Sequence, residues 1–277
     1  MSDEFFVGYL PIPPGTGGRM RRAAVGLVVL AALVATALAV ATGPFDRATF
    51  DYGVERTWRG TLEAAPVPVL IAKAEPAFRS PFSERVRYPL VAPGKHGAGP
   101  LIAALDGVTV QLRGTRIARG GTTMIELVAG TIERDAPTLP ADGRIAPASR
   151  IEDLQRSSFT GEIVDSKCFL GVMNPGRLEV HRACALRCLS GGIPPMLFAH
   201  DEKGREAHLL LVDANGGSLN DRVLAFVGRP VTIEGRLERR DDLYYLYAER
   251  IGDTPLFLTN SERDNSSFSH NAVSGER

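Results

Sequence analysis

The stretch VTIEGRLERRDDLYYLYAERI, residues 231–251, decides how the second half of this chain folds. Apolar and polar positions alternate through Val231, Ile233, Gly235 and Leu237, the period of a half-buried strand. Arg239-Arg240-Asp241-Asp242 stands where a hairpin must turn. An earlier stretch, VTVQLRGTRIARGGTTMIELV at 108–128, repeats the pattern with Arg119-Gly120-Gly121-Thr122 at its turn. The segments before each hairpin also correspond. TWRGTLEAAPVPVLIA (57–72) parallels SFTGEIVDSKC (158–168) followed by IPPMLFA (193–199), and YPLVAPGKHG (88–97) parallels AHLLLVDANGG (207–217). A repeated strand–strand–strand–hairpin unit suits two small closed barrels in tandem, over 43–132 and 158–257. The five-stranded OB-type barrel is the nearest simple architecture. A two-layer sandwich has the same strand spacing and stays open as an alternative.

Composition agrees with a mainly β chain. Its 277 residues include 29 glycines and 19 prolines, so turns are frequent and long helices few. Residues 133–157 form the expected linker: ERDAPTLPADGRIAPAS (133–149) is rich in proline and charge, and IEDLQRS (151–157) suits one or two helical turns. The polar end, 258–277, is an expected disordered tail. Lysines plus arginines and aspartates plus glutamates number 32 each, a net charge of zero. That balance argues against a nucleic-acid partner, although OB-type barrels often serve one. The chain has no dinucleotide fingerprint and no phosphate loop, which argues against a nucleotide enzyme.

AAVGLVVLAALVATALAVAT, residues 23–42, carries no charge. At about 1.5 Å per residue such a helix spans a bilayer. Arg19, Arg21 and Arg22 precede it and the first later charge is Asp46. The positive-inside rule then places residues 1–22 in the cytoplasm and the bulk of the chain in the periplasm or outside the cell. The expectation is a single-pass protein of the bacterial cytoplasmic membrane, in contact with lipid through 23–42. A cleaved signal peptide is the rival, with small-residue sites at Ala37-Leu38-Ala39 and Ala39-Val40-Ala41. The leading tail holds Phe5, Phe6, Tyr9 and Leu10, either interfacial aromatics or a docking peptide.

All three cysteines fall within GEIVDSKCFLGVMNPGRLEVHRACALRCLSGGIPP, residues 161–195. GEIVDSKC reads as a strand ending near Cys168, and RLEVHRACALRCLS (177–190) as a helix ended by Gly191-Gly192. The first half has only AAPVP at the equivalent place, so 168–192 reads as an insertion into the second barrel. His181, Cys184 and Cys188 lie on one face of that helix. Cys168, His181, Cys184 and Cys188 form a candidate Cys₃His metal centre for zinc, copper or iron. Without a Cys-x-x-Cys-His, covalent haem is excluded. A disulfide from Cys168 to Cys184 or Cys188 would instead staple the insertion, leaving an odd cysteine. A catalytic thiol with His181 as base is the third reading. Asp165 and Lys167 read as a satisfied strand-end pair, Glu162 as solvated, His200 and His208 as surface residues, and Met173, Met196, Tyr244, Tyr245 and Tyr247 as packing.

Gly161, Glu162, Asp165, Cys168, His181, Cys184, Cys188, Gly191 and Gly192 together resemble the pattern G-E-[IV]-V-D-x-x-C, H-x-x-C-A-x-x-C, G-G-[IL]-P of a family of bacterial envelope proteins. The resemblance implies an exported small β domain with a Cys/His cluster and carries over no established catalysis. It also implies a membrane protein complex as partner, with the chain as an accessory or electron-transfer subunit of a membrane redox system. A non-catalytic scaffold or assembly subunit is the alternative.

Overall fold

The computed structural model describes residues 8, 13–42, 48–74, 84–135, 150–200 and 204–254. They divide into two units, Met1–Asp46 and Arg47–Arg277. The first contains helix α1, Pro14–Thr42, of which Gly15–Ala41 is long and apolar enough to cross a membrane. The helix starts well before residue 23 because Arg19-Met20-Arg21-Arg22 are good helix formers that prolong it. The aromatic tail expected ahead of it lies outside the described residues.

The second unit is built of two five-strand barrels. In the first, β1 (Ala48–Glu63), β2 (Val69–Lys73), β3 (Arg85–Ala92), β5 (Thr109–Arg119) and β6 (Thr122–Leu127) close in the order β1–β2–β3–β6–β5–β1. The short β4 (His96–Gly97) adds to β3, α2 (Gly99–Ile102) precedes β5, and β7 (Glu133–Arg134) pairs with β5. The β3–β6 pairing is parallel, with Leu90 opposite Ile125, and the other neighbours run antiparallel. The second barrel repeats this order with β8 (Ile151–Asp165), β9 (Pro195–His200), β10 (Glu206–Asp213), β11 (Pro230–Arg240) and β12 (Leu243–Asp253). Here the parallel pair is β10–β12, with Leu209 opposite Tyr244. Helix α3 (Glu179–Ser190) lies between β8 and β9, and α4 (Asn220–Val223) between β10 and β11. Both expected hairpins turn on two residues, Gly120-Gly121 and Asp241-Asp242.

The expected helical linker over 151–157 is corrected: those residues are the first half of β8. Their backbone pairs with β11 from Arg156 opposite Arg236 to Ile151 opposite Arg240, through a bulge. Cross-strand pairing satisfies every second backbone group, and Leu154 packs on the barrel interior. That outweighs the weak helix preference of a seven-residue, mostly polar segment. The first barrel also reaches past residue 132, because Glu133 pairs with Gln111. Residues 136–149 and the expected tail 258–277 lie outside the described residues.

Alternation along the strands explains how the barrels join. In β9, Leu197 and Ala199 point into the second barrel, while Met196 and Phe198 enter a separate cluster. In β10, Leu209 and Leu211 face inward, and Leu210 and Val212 join that same cluster. Tyr245 and Tyr247 of β12 do likewise, while Tyr244 packs at the interior. From the first barrel the cluster receives Val69, Ile71, Ile117 and Met124, whereas Leu70, Leu90 and Ile125 fill that barrel's own interior. The strands therefore read as continuous apolar runs because both of their faces are buried. Phe169 and Phe198 meet near the centre of the joint at 4.8 Å between ring centroids.

The polar side of this joint is an ion network. Arg87 of β3, 1% exposed, donates through Nε to Asp241 (2.8 Å) and through Nη1 to Glu63 (2.9 Å). Arg240 joins it by donating to Glu63 (3.1 Å) and to the Tyr247 hydroxyl (2.7 Å). Asp242 accepts the backbone N–H of Arg87 at 2.8 Å, and burial pushes its carboxyl up to about 7. An unfolded aspartate has a pKa of about 3.9. Between those values the folded chain binds more protons than the unfolded one, so stability falls as pH rises from about 4 to about 7 and then levels. Asp242→Asn keeps the acceptor oxygen and removes the titration. We expect the variant to lose this slope, worth up to about 4 kcal/mol, as read by urea melts at pH 4.5 and 7.5.

Candidate metal centre

The cysteines are brought together by a strand end, a tight turn and a helix. After Asp165 the chain leaves β8, and the Ser166 hydroxyl donates to Pro194 O (2.7 Å), tying the exit of β8 to the entry of β9. The backbone N–H of Cys168 donates to Asp165 Oδ1 at 2.8 Å, which folds Cys168 back under the barrel. Helix α3 carries His181, Cys184 and Cys188 at the expected spacing and ends at Gly191-Gly192. The sulfurs of Cys168, Cys184 and Cys188 lie within 4.8 Å of one another, the Cys168–Cys188 pair at 3.9 Å. Cys168 and Cys188 are buried and Cys184 is half-buried.

His181 is placed beside this trio rather than squarely in it. It shares a second group with Asp165 and Cys168, whose ligand atoms also lie within 4.8 Å. Its Nε2 is hydrogen-bonded to Asp165 Oδ2 at 2.9 Å, with both side chains buried. This overturns the reading of Asp165 as partner to Lys167. Asp165 organises the site instead, holding both the Cys168 backbone and the His181 ring. Histidines that bind metals usually rest their other nitrogen on such a carboxylate.

Lys167 reaches the first barrel. Its buried ammonium donates to Ala92 O (3.0 Å) and Gly94 O (2.6 Å) and pairs with Glu126 (2.6 Å). It thereby fixes the turn between β3 and β4, which carries Lys95. The same turn is clamped where Gly97 N–H donates to Gly191 O at 2.9 Å. A Cβ at Gly97 would stand 2.0 Å from Gly192 O, so only glycine allows this approach. The result sets Lys95 Nζ at 2.7 Å from Cys184 Sγ and 3.8 Å from Cys188 Sγ.

The electrostatics separate the thiols. A hydrogen bond from Cys168 pulls the Cys188 thiol below its usual range, against burial and Asp165, with the Lys95 charge assisting. The same bond, together with burial and Asp165, pushes Cys168 up. The hydrogen bond to Cys184 holds the Lys95 ammonium above its ordinary value. Cationic neighbours of this kind stabilise thiolates, the form that ligates metals.

Three further expectations are corrected. Glu162 is nearly buried and accepts the backbone N–H of Leu178, because the start of α3 lies over it. His208 is inward: its Nδ1 meets the Thr122 hydroxyl at 3.0 Å, its ring packs edge-on to Phe169, and burial lowers it to about 4. Met173 is 44% exposed instead of core, whereas His200 is exposed as expected, its ring edge-on to Phe198. Met196 and the three tyrosines pack as expected. Leu178, before α3, holds φ 66 and ψ 176, a conformation that suits glycine, while its side chain is 48% exposed. Leu178→Gly is expected to stabilise the fold by about 1 kcal/mol, measured as a raised midpoint in urea.

The spacing of the cysteines pointed to the trio. Nothing near 168–188 pointed to Lys95, which is 89 positions from Cys184 and arrives from the other barrel. No family model and no curated protein matches this chain. Among solved structures it is similar to the single-stranded DNA binding protein from Thermus aquaticus. A deletion variant of that protein is 13% identical, covering 78% of this chain and 99% of that one, at a TM-score of 0.19. The wild-type form is also 13% identical, covering 78% and 90%, at a TM-score of 0.17. Likenesses this slight carry no functional argument.

Proposed function

We propose that the chain is a membrane-anchored, exported metal-binding protein whose two barrels are tandem OB-type domains. Cys168, Cys184 and Cys188 are the sulfur ligands, supplied by an insertion between the first two strands of the second domain. His181, oriented by Asp165, completes or supports the site. The observation that carries this reading is the convergence of three cysteine sulfurs within 4.8 Å, from a strand end and a helix, in a largely buried setting. Thiolates and an imidazole suit zinc, copper or iron. We read the protein as an accessory or electron-transfer subunit of a membrane redox complex in the bacterial envelope, the role implied by the resemblance of its Cys/His motif to that of envelope proteins. Helix α1 is the anchor, with the N-terminus in the cytoplasm and the barrels outside it.

A second reading rests on one distance. Cys168 Sγ and Cys188 Sγ are 3.9 Å apart, close enough to join after a small rotation. The site would then be a disulfide staple, and the protein a scaffold or assembly subunit. His181→Ala separates the two. A metal centre should lose about 10–100-fold in affinity, measured by competition with a chromophoric chelator. A staple should keep one disulfide and one free thiol with no change.

A further inference from the structure

Lys95 and Cys184 stand in a relation that metal binding does not require. The Nζ–Sγ separation is 2.7 Å. N–H···O hydrogen bonds run about 2.7–3.2 Å, and sulfur is the larger atom, so this contact is close for a hydrogen bond to sulfur. It matches the span of one oxygen joined by ordinary single bonds to nitrogen and to sulfur at a bent angle. The pair is also held in place. Lys167 and the Gly97–Gly191 contact fix the turn that bears Lys95, and Cys184 sits mid-helix on α3. It is open to small oxidants too, since Lys95 is exposed and Cys184 half-buried, whereas Cys168 and Cys188 are buried.

We propose that Lys95 and Cys184 are a modification site, at which hydrogen peroxide joins the two side chains through one oxygen, as Nζ–O–Sγ. One peroxide oxidises the Cys184 thiol to a sulfenic acid: the S–H bond becomes S–O–H, the O–O bond breaks and one water leaves. A second peroxide joins that oxygen to Nζ: the sulfenic O–H and one N–H break, the N–O bond forms and two waters leave. Sulfur and nitrogen each give up two electrons, and each peroxide accepts two. The bridge ties the first barrel covalently to α3 of the second and withdraws Cys184 from any metal. Reduction by thiols restores both side chains.

The test uses the full-length protein, reduced, treated with chelator, desalted and exposed to a few equivalents of hydrogen peroxide. It is then alkylated, digested with trypsin and analysed by mass spectrometry. The expected product links Tyr88–Arg113, uncut at Lys95, to Ala183–Arg187. Its mass exceeds the sum of the two peptides by about 14 Da, one oxygen gained and two hydrogens lost. Reductant should return both peptides unmodified. Lys95→Arg, at an exposed position, should abolish the linked species. The proposal is overturned if Cys184 is recovered alkylated, as a sulfinic acid, in a disulfide with Cys168 or Cys188, or joined to Lys95 without oxygen at about 2 Da below the sum. Zinc uptake by the same preparation, followed separately, decides the metal reading and leaves the bridge result unaffected.

Discussion

Cys188→Ser is expected to abolish stoichiometric metal uptake while leaving both barrels folded. Cys188 is the hub of the trio, 3.9 Å from Cys168 Sγ and 3.8 Å from Lys95 Nζ. Its thiol is the one drawn down by the hydrogen bond from Cys168. Serine nearly matches its volume, so packing changes little, but a hydroxyl does not ionise to a soft anion and leaves only two sulfurs. Loss of one sulfur from a three-sulfur site removes most of the affinity for a thiophilic ion. Wild-type protein with free metal at about 100 times Kd should gain about 2.7 kcal/mol of stability from the ion. The variant should gain nothing. Paired denaturant melts with and without zinc measure this directly, and equal gains in both proteins would move the site elsewhere.

Arg87→Met is expected to destabilise the barrel unit by about 3–5 kcal/mol. Arg87 is 1% exposed, and its guanidinium is the buried partner of Asp241, itself fully buried, and of Glu63. Methionine fills much of the same volume but leaves the Asp241 carboxylate facing an apolar neighbour. The cost is the stranded charge more than the lost attraction. Arg87→Met combined with Asp241→Asn should therefore recover a large part of the loss, since the amide has no charge to strand. Urea midpoints at an unchanged m-value give both numbers. A double variant no better than the single one would show that Arg87 acts by packing alone.

How much of this was legible in the sequence follows from what each residue touches. The strands of 108–128 and 231–251 were legible because alternation and turn residues are local. The cysteine trio was legible because its spacing on α3 is local too. Ile151–Ser157 was misread because its polar residues owe their strand geometry to β11, far along the chain. Asp165 and Lys167 looked like a satisfied strand-end pair and Glu162 like a solvated residue, yet each is buried on a partner distant in sequence: His181, the turn between β3 and β4, and Leu178. Lys95 was invisible for the same reason. It reaches the cysteines only because Gly97 lets the first barrel press against Gly191.

The central claim is that Cys168, Cys184 and Cys188 together hold one metal ion. Elemental analysis of the full-length protein, purified without chelator and paired with a count of reactive thiols, tests it most directly. The account predicts about one equivalent of zinc, copper or iron, with the three thiols unreactive until the metal is removed. No metal, with one reactive thiol and one disulfide, would contradict it and make the cluster a staple.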